Sequence, residues 1–379
     1  TLGLIEGRVV KLSAGGAAVE LPAHIQPGQA PGTVAAALGC GRTVLGPMAG
    51  NFPTAKMLPI DFEPASGADV MPLLKSTAVA VEVLDRIERL AKTQQYDYLV
   101  DPLLGERRGH VRETVLADYA LNARAGNPEE ETAASLWKGH DYTGSRWGMA
   151  IDLNSCTGCS ACVLSCNLEN NVPVVGKAEV AKSRDMHWLR LDRYYSGSPD
   201  AVEGSPDVAF QPMLCQHCGN APCETVCPVL ATVHSTEGLN MQVYNRCVGT
   251  RYCANNCPYK VRRFNWFDYA HADLSANLAL NPDVTVRSRG VMEKCSFCVQ
   301  RIYTAKADAK VEGRNVRDGE IKPACAQSCP SEAIVFGDLN DPKSKVAKLA
   351  KSERSYRVLS ELGVQPSIHY LTKVRNKRV

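Results

Sequence analysis

The chain has 379 residues, a formal net charge of +3, 45% hydrophobic residues and only 6% aromatic ones. So small a charge is too little to imply a protein that holds nucleic acid by phosphate attraction, and no apolar run approaches the roughly eighteen residues needed to cross a bilayer. Sixteen cysteines among 29 glycines and 22 prolines point to loops that carry cofactors, because a disulfide framework belongs to small secreted domains and not to a chain of this length.

The chain opens at Thr1 without methionine, and its first residues read like the middle of a domain, so it is expected to be one piece of a longer polypeptide. No signal peptide is visible, which leaves location open. Residues 1–62 read as β structure. Arg8-Val9-Val10-Lys11-Leu12 and Ala18-Val19-Glu20-Leu21 flank Gly15-Gly16, a hairpin signal. Two phrases follow, Pro27-Gly28 running to Gly32-Thr33-Val34-Ala35, and Ala37-Leu38-Gly39-Cys40-Gly41-Arg42. They resemble the end of the molybdopterin-dinucleotide-binding barrel of molybdopterin oxidoreductases. The resemblance implies a partial β-barrel, the tail of a larger domain. A small barrel with glycine turns and no ligand is the plainer reading of the same residues. Cys40 stands alone in an apolar stretch and reads as a buried structural residue.

Residues 63–143 read as a helical and irregular connector. Val79, Val81, Val83, Leu84, Ile87 and Leu90 lie at helical spacing within Ala78 to Lys92, and Arg112 to Ala123 offers a second helix. The charged stretches Gly105 to Gly109 and Gly126 to Glu131 read as solvated loops.

From 144 to 340 the chain is organised by four cysteine groups. Trp147 to Asp152 is a strand leading into the first, Cys156, Cys159, Cys162 and Cys166. This is C-x2-C-x2-C-x3-C, the spacing that wraps a cubane iron–sulfur cluster, with the fourth cysteine directed to a second cluster. The second group is Cys215, Cys218, Cys223 and Cys227; the third is Cys247, Cys253 and Cys257; the fourth is Cys295, Cys298, Cys325 and Cys329. Proline follows the last cysteine in all but the first group, where Asn167 stands. Zinc ribbons also use C-x2-C pairs, but four ligands close such a site and a third cysteine three residues on has no use there. In the third group Thr250 occupies the place of the second cysteine. A hydroxyl that is not ionised near neutral pH is a poor iron ligand, so that corner is expected to be empty. Three 4Fe–4S clusters and one 3Fe–4S cluster follow.

Thr232 to Ser235 and Leu239 to Val243 read as a hairpin around Thr236-Glu237-Gly238, and Ala333 to Gly337 gives a matching strand after the fourth group. A strand after Cys-Pro and a return to the next cysteine group occurs twice. The module therefore reads as an α+β internal duplication of a two-cluster ferredoxin. Sequence alone does not say which groups pair. Groups two and three are adjacent and joined by the hairpin, so they pair naturally and leave one with four. Fourth-cysteine crossing then gives the ligand sets Cys156, Cys159, Cys162 and Cys329; Cys166, Cys295, Cys298 and Cys325; Cys215, Cys218, Cys223 and Cys257; and Cys227, Cys247 and Cys253 beside the vacant position at Thr250.

Residues 341–379 read as a C-terminal docking tail, helical around Lys345 to Leu362, with a solvated basic end from Lys373 to Arg378. No triad, dyad or phosphate-binding loop stands out, so the chain is expected to have no catalytic residues of its own. His187, His217 and His234 read as hydrogen-bonded structural residues. Arg251, Lys260, Arg262 and Arg263 suit either cluster tuning and docking or a solvated basic face.

Residues 146–375 resemble the four-cluster iron–sulfur subunits of the dimethylsulfoxide, polysulfide and nitrate reductase family. The resemblance is carried by Cys156 to Cys166, Cys253-Ala254-Asn255-Asn256-Cys257-Pro258-Tyr259-Lys260-Val261-Arg262-Arg263-Phe264-Asn265-Trp266, and Lys294-Cys295-Ser296-Phe297-Cys298. That family uses the same ligand crossing. A barrel tail fused in front, together with the 3Fe site, is similar to the iron–sulfur (B) subunits of alternative complex III. That likeness implies electron relay from quinol, oxidised in an integral membrane partner, through the 3Fe–4S cluster and three 4Fe–4S clusters to c-type haem subunits. It further implies a hetero-oligomer containing the rest of the molybdopterin-oxidoreductase-like domain, with no molybdenum and no nucleic acid. The chain would sit peripherally on the periplasmic face of the membrane. The alternative is the iron–sulfur subunit of a true molybdopterin reductase of the polysulfide or dimethylsulfoxide type.

Overall fold

A computed structural model of the chain describes residues 3–41, 67–94, 96–100, 105, 107–129, 138–196, 206–268 and 276–376. They divide between two units, one within 1–95, 174–185 and 197–207, the other within 96–173, 186–196 and 208–379.

In the first unit the hairpin at Gly15-Gly16 forms as read, with β1 (Arg8–Ala14) antiparallel to β2 (Ala17–Pro22). The expected helix over 78–92 does not form. Ala80 to Ile87 is a strand, β3 (Ala80–Ile87), antiparallel to β1 on its other edge, with Val83 opposite Val10 and Val81 opposite Leu12. Val79, Val81 and Val83 satisfy a period of two as well as a helical one. Their β-branched side chains and the open edge of β1 decide for the strand. Val10, Leu12 and Leu73 make a small core with Val81 packed against it. The sheet order is β2-β1-β3 and no barrel closes among the described residues; all of residues 42–62 of the expected barrel lies outside them. Cys40 is exposed, not buried, because the described loop leading to it, from residue 28, is itself exposed.

In the second unit β4 (Glu113–Val115) and α1 (Leu116–Leu121) replace the helix expected over 112–123. The cysteine-rich part then runs through β5 (Trp147–Asp152) and α2 (Ala161–Glu169) to α3 (Gly176–Ala181), which clusters with the first unit. The paired strands β6 (Arg190–Ser196) and β7 (Asp207–Met213) lead to α4 (Pro222–Thr225) and the expected hairpin, β8 (Thr232–His234) with β9 (Asn240–Gln242). Next come α5 (Tyr252–Asn256), the short pair β10 (Arg263–Phe264) and β11 (Met292–Glu293), α6 (Val299–Val311), α7 (Ala324–Gln327) and β12 (Ile334–Asp338). The chain closes with α8 (Lys345–Ala350), β13 (Ser355–Tyr356), β14 (Ile368–Leu371) and β15 (Lys373–Arg375).

The principal sheet has the order β12-β5-β14-β13. Its central strand β5 is apolar almost throughout and buried on both faces, with Met149 and Ile151 at 0% exposure, as an interior strand requires. It pairs antiparallel with β12 and parallel with β14. Phe336, Val346, Tyr356, Ile368 and Tyr370 complete the core around it. Residues 341–379 are therefore not a docking tail. They supply two strands of this sheet, and β15 pairs parallel with β4. The basic end is tied down in the same way. Lys373 Nζ donates to Leu153 O at 2.9 Å, and Arg375 Nε donates to Glu113 Oε2 at 2.9 Å. Burial raises the Glu113 carboxyl pKa, but Arg375 and Arg107 outweigh it and hold the group below its ordinary range.

Candidate metal centres

The cysteine loops share a backbone script. Ser160 (φ 62) and Arg251 (φ 61), each one residue past the second position of its group, turn in the left-handed region and start α2 and α5. His217 (φ 44) and Phe297 (φ 57) each stand directly before a cysteine, Cys218 and Cys298. Leu230, Lys260 and Glu332, each third after the cysteine of a Cys-Pro pair, lie at φ 50, 52 and 49. These bends aim main-chain N–H groups at sulfur. Ala231 N donates to Cys227 Sγ at 3.1 Å and Ala333 N to Cys329 Sγ at 3.3 Å, the same bond in two halves of a duplicated module. Met292 N donates to Cys247 Sγ (3.3 Å), Phe297 N to Cys295 Sγ (3.4 Å) and Ala324 N to Cys298 Sγ (3.5 Å). Two glycines are required here. Gly158 has φ +76 and a Cβ on it would lie 2.7 Å from the Phe210 ring; Gly249 has φ +71 and its Cβ would meet Gly290 O at 2.4 Å.

Helix packing shows which groups meet. α2 of group one packs on α7 of group four, and α4 of group two packs on α5 of group three. Ser165 Oγ and Ser328 Oγ are 2.7 Å apart across the first contact, and Asn256 Nδ2 donates to Pro222 O at 2.6 Å across the second. His217 and Phe297, from groups two and four, stack with ring centroids 3.8 Å apart.

Several thiols are crowded by other thiols, within and between groups, as Cys295 is by Cys215 and Cys298. Burial pushes the Cys162 thiol up to about 12, helped by Cys156, Cys329 and Cys159. Cys166 is raised well above its ordinary value by burial and then by Cys295, Cys298 and Cys325. Cys218 is raised by burial and then by Cys215, Cys257 and Cys223. Cys215, Cys218, Cys223 and Cys257 line one cavity of about 20 Å³. Cys227 behaves differently: burial raises it, but N–H bonds from Val229, Ala231 and Thr232 bring it below its ordinary value. All sixteen cysteines are free thiols. Among the described residues no three His, Cys, Asp or Glu side chains converge on a point fit for a single metal ion. Thiolates on the separate irons of a cubane stand further apart than ligands sharing one zinc. Crowded thiols that resist ionisation, met by N–H donors, are a donor set matched to a positively charged iron core, which neutralises them together.

Exposure differs along the series. In the set Cys166, Cys295, Cys298 and Cys325 every thiol is buried, as is every thiol of Cys215, Cys218, Cys223 and Cys257. In the other two sets Cys162 and Cys253 are buried, but Cys159 is exposed, Cys156, Cys329, Cys227 and Cys247 are half-buried, and Thr250 is exposed.

The three histidines are bonded. His187 Nδ1 lies 2.9 Å from Asn167 Nδ2, and His234 Nδ1 lies 2.6 Å from Glu224 Oε1. His217 accepts from Asn240 N through Nδ1 at 3.1 Å, so its proton sits on Nε2, and burial holds its pKa well below the ordinary range. Of the four basic residues, Lys260 is exposed, Arg251 lies 4.7 Å from the Trp266 ring centre, Arg263 Nε donates to His187 O at 2.8 Å, and Arg262 is buried beside the thiols.

Sequence reasoning missed a supporting layer. Asn170 Nδ2 lies 3.6 Å from Cys166 Sγ and 3.7 Å from Cys298 Sγ, and Asn240 Nδ2 lies 3.7 Å from Cys223 Sγ. Lys294 is buried with its ammonium on Asn240 O and Cys295 O. Asn170 sits one helical turn from Cys166 and Lys294 stands directly before Cys295, spacings that pointed to them; Asn240 reaches the site through the hairpin and leaves no such mark.

Two family models, each described as a 4Fe–4S dicluster domain, match residues 155–231 and 206–272. The first spans cysteine groups that the fold assigns to different pairs. The chain is 44% identical to the iron–sulfur cluster-binding subunit of menaquinone reductase from Nitratidesulfovibrio vulgaris, over 60% of this chain and 89% of that one. It is 33% identical to iron–sulfur subunit 1 of the Hdr-like menaquinol oxidoreductase of Archaeoglobus fulgidus, over 59% and 82%. It is 34% identical to the arsenate respiratory reductase iron–sulfur subunit of a Shewanella strain, over 60% and 96%.

Proposed function

The chain belongs to the family of 4Fe–4S dicluster iron–sulfur subunits found in menaquinone, menaquinol and arsenate redox complexes, and from that premise we propose that it is the electron-relay subunit of a membrane-bound quinol oxidoreductase of the alternative complex III type. The observation that carries this reading is the uneven exposure of the thiol sets, two with every thiol buried and two with thiols partly exposed. A wire needs that arrangement: an insulated interior and an accessible terminus for each partner.

The ligand sets are Cys156, Cys159, Cys162 and Cys329; Cys166, Cys295, Cys298 and Cys325; Cys215, Cys218, Cys223 and Cys257; and Cys227, Cys247 and Cys253. When bound, the clusters supply one-electron carriers. The protein's residues hold them apart from water, compensate their charge with N–H donors, and leave Thr250 where a fourth thiolate would bind the last one. That last site is a 3Fe–4S centre and faces the quinol-binding membrane subunit. Leu230, Val248 and Tyr252, exposed by 62%, 64% and 55%, offer it an apolar rim. At the opposite end Leu164 and Leu168, exposed by 62% and 67%, frame the exit towards c-type haem subunits. The assembly lies on the periplasmic face, and no helix among the described residues is long and apolar enough to cross a membrane.

Thr250→Cys tests this reading. The variant complex is expected to lose a 3Fe–4S signal, gain a fourth 4Fe–4S signal, and oxidise quinol more slowly. Unchanged spectra and turnover count against it. The second reading, a molybdopterin reductase subunit, is favoured by the arsenate reductase relative, and a stoichiometric molybdenum count in the purified complex would select it.

A further inference from the structure

Arg262 is 5% exposed and lines the cavity enclosed by Cys215, Cys218, Cys223 and Cys257. One arm of its guanidinium is anchored: Nη2 donates to Thr232 Oγ1 at 2.8 Å and to Gln242 Oε1. Those two residues face each other in the β8–β9 hairpin, which follows Cys227. The other nitrogens, Nε and Nη1, are buried and meet no oxygen or nitrogen acceptor. Thiols of two different sets lie within electrostatic reach of the guanidinium, Cys223 and Cys215 of the third and Cys253 of the fourth, and the first two line the same cavity as Arg262.

A guanidinium stays charged under any condition the fold survives. A buried charge with no counter-charge is strongly disfavoured, and the acceptors on Arg262 are a hydroxyl and an amide, neither of them anionic. The compensating negative charge is therefore the thiolate sets themselves. We propose that Arg262 is the shared counter-cation of the third and fourth clusters, a positioning residue that raises the midpoint potentials of both. The proposal rests on the ligand sets given above. An electron added on either side of a fixed positive charge is stabilised by it, so the reduced forms gain relative to the oxidised ones. The hydrogen bonds to Thr232 and Gln242 hold the guanidinium in place.

The test is a potentiometric titration of the intact complex, followed by electron paramagnetic resonance, for Arg262→Gln and Arg262→Lys, with iron counted in each. In Arg262→Gln the reduced-to-oxidised ratio of the third and fourth clusters at fixed potential is expected to fall about tenfold or more, which is 59 mV per tenfold for a one-electron couple. The first two clusters are expected to move less, and Arg262→Lys to restore most of the shift. Unmoved midpoints in Arg262→Gln at full iron content overturn the proposal, as does a shift confined to one cluster. If Arg262→Gln assembles without one cluster, Arg262→Lys decides: near-parental midpoints support the charge, whereas the same cluster loss shows that the fork geometry is what matters and overturns it. The parental complex reports on the ligand sets separately, since its own iron count and signals do not depend on Arg262.

Discussion

Glu293 gives the sharpest prediction about how the fold holds the cysteine loops. It precedes Lys294-Cys295 and is 1% exposed. Its carboxylate accepts from Arg287 Nη2 at 2.7 Å, Trp188 Nε1 at 2.9 Å and Asn265 Nδ2 at 2.5 Å. Arg287 in turn donates to Asn170 O at 2.8 Å and Asn171 O at 3.1 Å, at the end of α2, and lies 4.9 Å from the Trp188 ring centre. The pair thus ties the loop of group four to the helix that carries Cys166. Glu293→Ala leaves a guanidinium buried without its anion, which costs ~3–5 kcal/mol. At 1.4 kcal/mol per tenfold, that is about a hundredfold to a few thousandfold more frequent opening of this segment. The assay is the rate of iron release into a chelator at fixed temperature, followed by bleaching of the visible absorption. Arg287→Met alone is expected to accelerate release similarly, and Glu293→Ala combined with Arg287→Met to recover much of the loss, because no unpaired charge remains. A Glu293→Ala protein that keeps its iron as long as the parent refutes the reasoning.

Four further outcomes are expected. Gly158→Ala forces an L residue to φ +76 against the Phe210 ring, adding roughly 1–2 kcal/mol of backbone strain before any clash; its paramagnetic spectrum should lack the first cluster and retain the others. Asn170→Leu removes an N–H donor from Cys166 and Cys298 and is expected to lower the midpoint of the second cluster in a redox titration. His110 is held by burial, and then by Arg108 and Arg107, at about 4 against an ordinary 6.5. The unfolded chain therefore takes up a proton that the folded chain refuses between those values, so stability falls by up to ~1.4 kcal/mol per pH unit as pH drops through that window; urea midpoints for His110→Asn should show a shallower acid decline. Truncation before Ile368 removes β14 from the side of β5 and is expected to give an insoluble chain, where a detachable tail would leave solubility and iron content intact.

The cysteine spacing announced most of the site because iron–sulfur loops are local: the bends at Ser160, Arg251, Leu230 and Glu332 act within a few residues of the thiols they serve. The same holds for β5, β8, β9 and β12, which are short, apolar or turn-flanked runs. What the sequence concealed is non-local. Residues 80–87 carry an apolar pattern that suits two periods, and only the edge of β1 makes them a strand. Ile368 to Leu371 look like the end of a tail because nothing nearby in the chain shows that β5 lacks a neighbour on that side. Cys40 followed the rule for lone apolar cysteines, and nothing among the described residues buries it. Arg262 is one basic residue in a run of them, Lys260 to Arg263, and its burial beside the thiols follows only from the hairpin whose Thr232 and Gln242 hold it.

What the thiols hold decides between a redox relay and a scaffold. Electron paramagnetic resonance of the isolated complex, oxidised and then reduced, with iron and zinc counted on the same sample, measures it. One 3Fe–4S signal in the oxidised state and three 4Fe–4S signals on reduction are predicted. A zinc-loaded or colourless protein, or four cubanes with Thr250 unchanged, would contradict it.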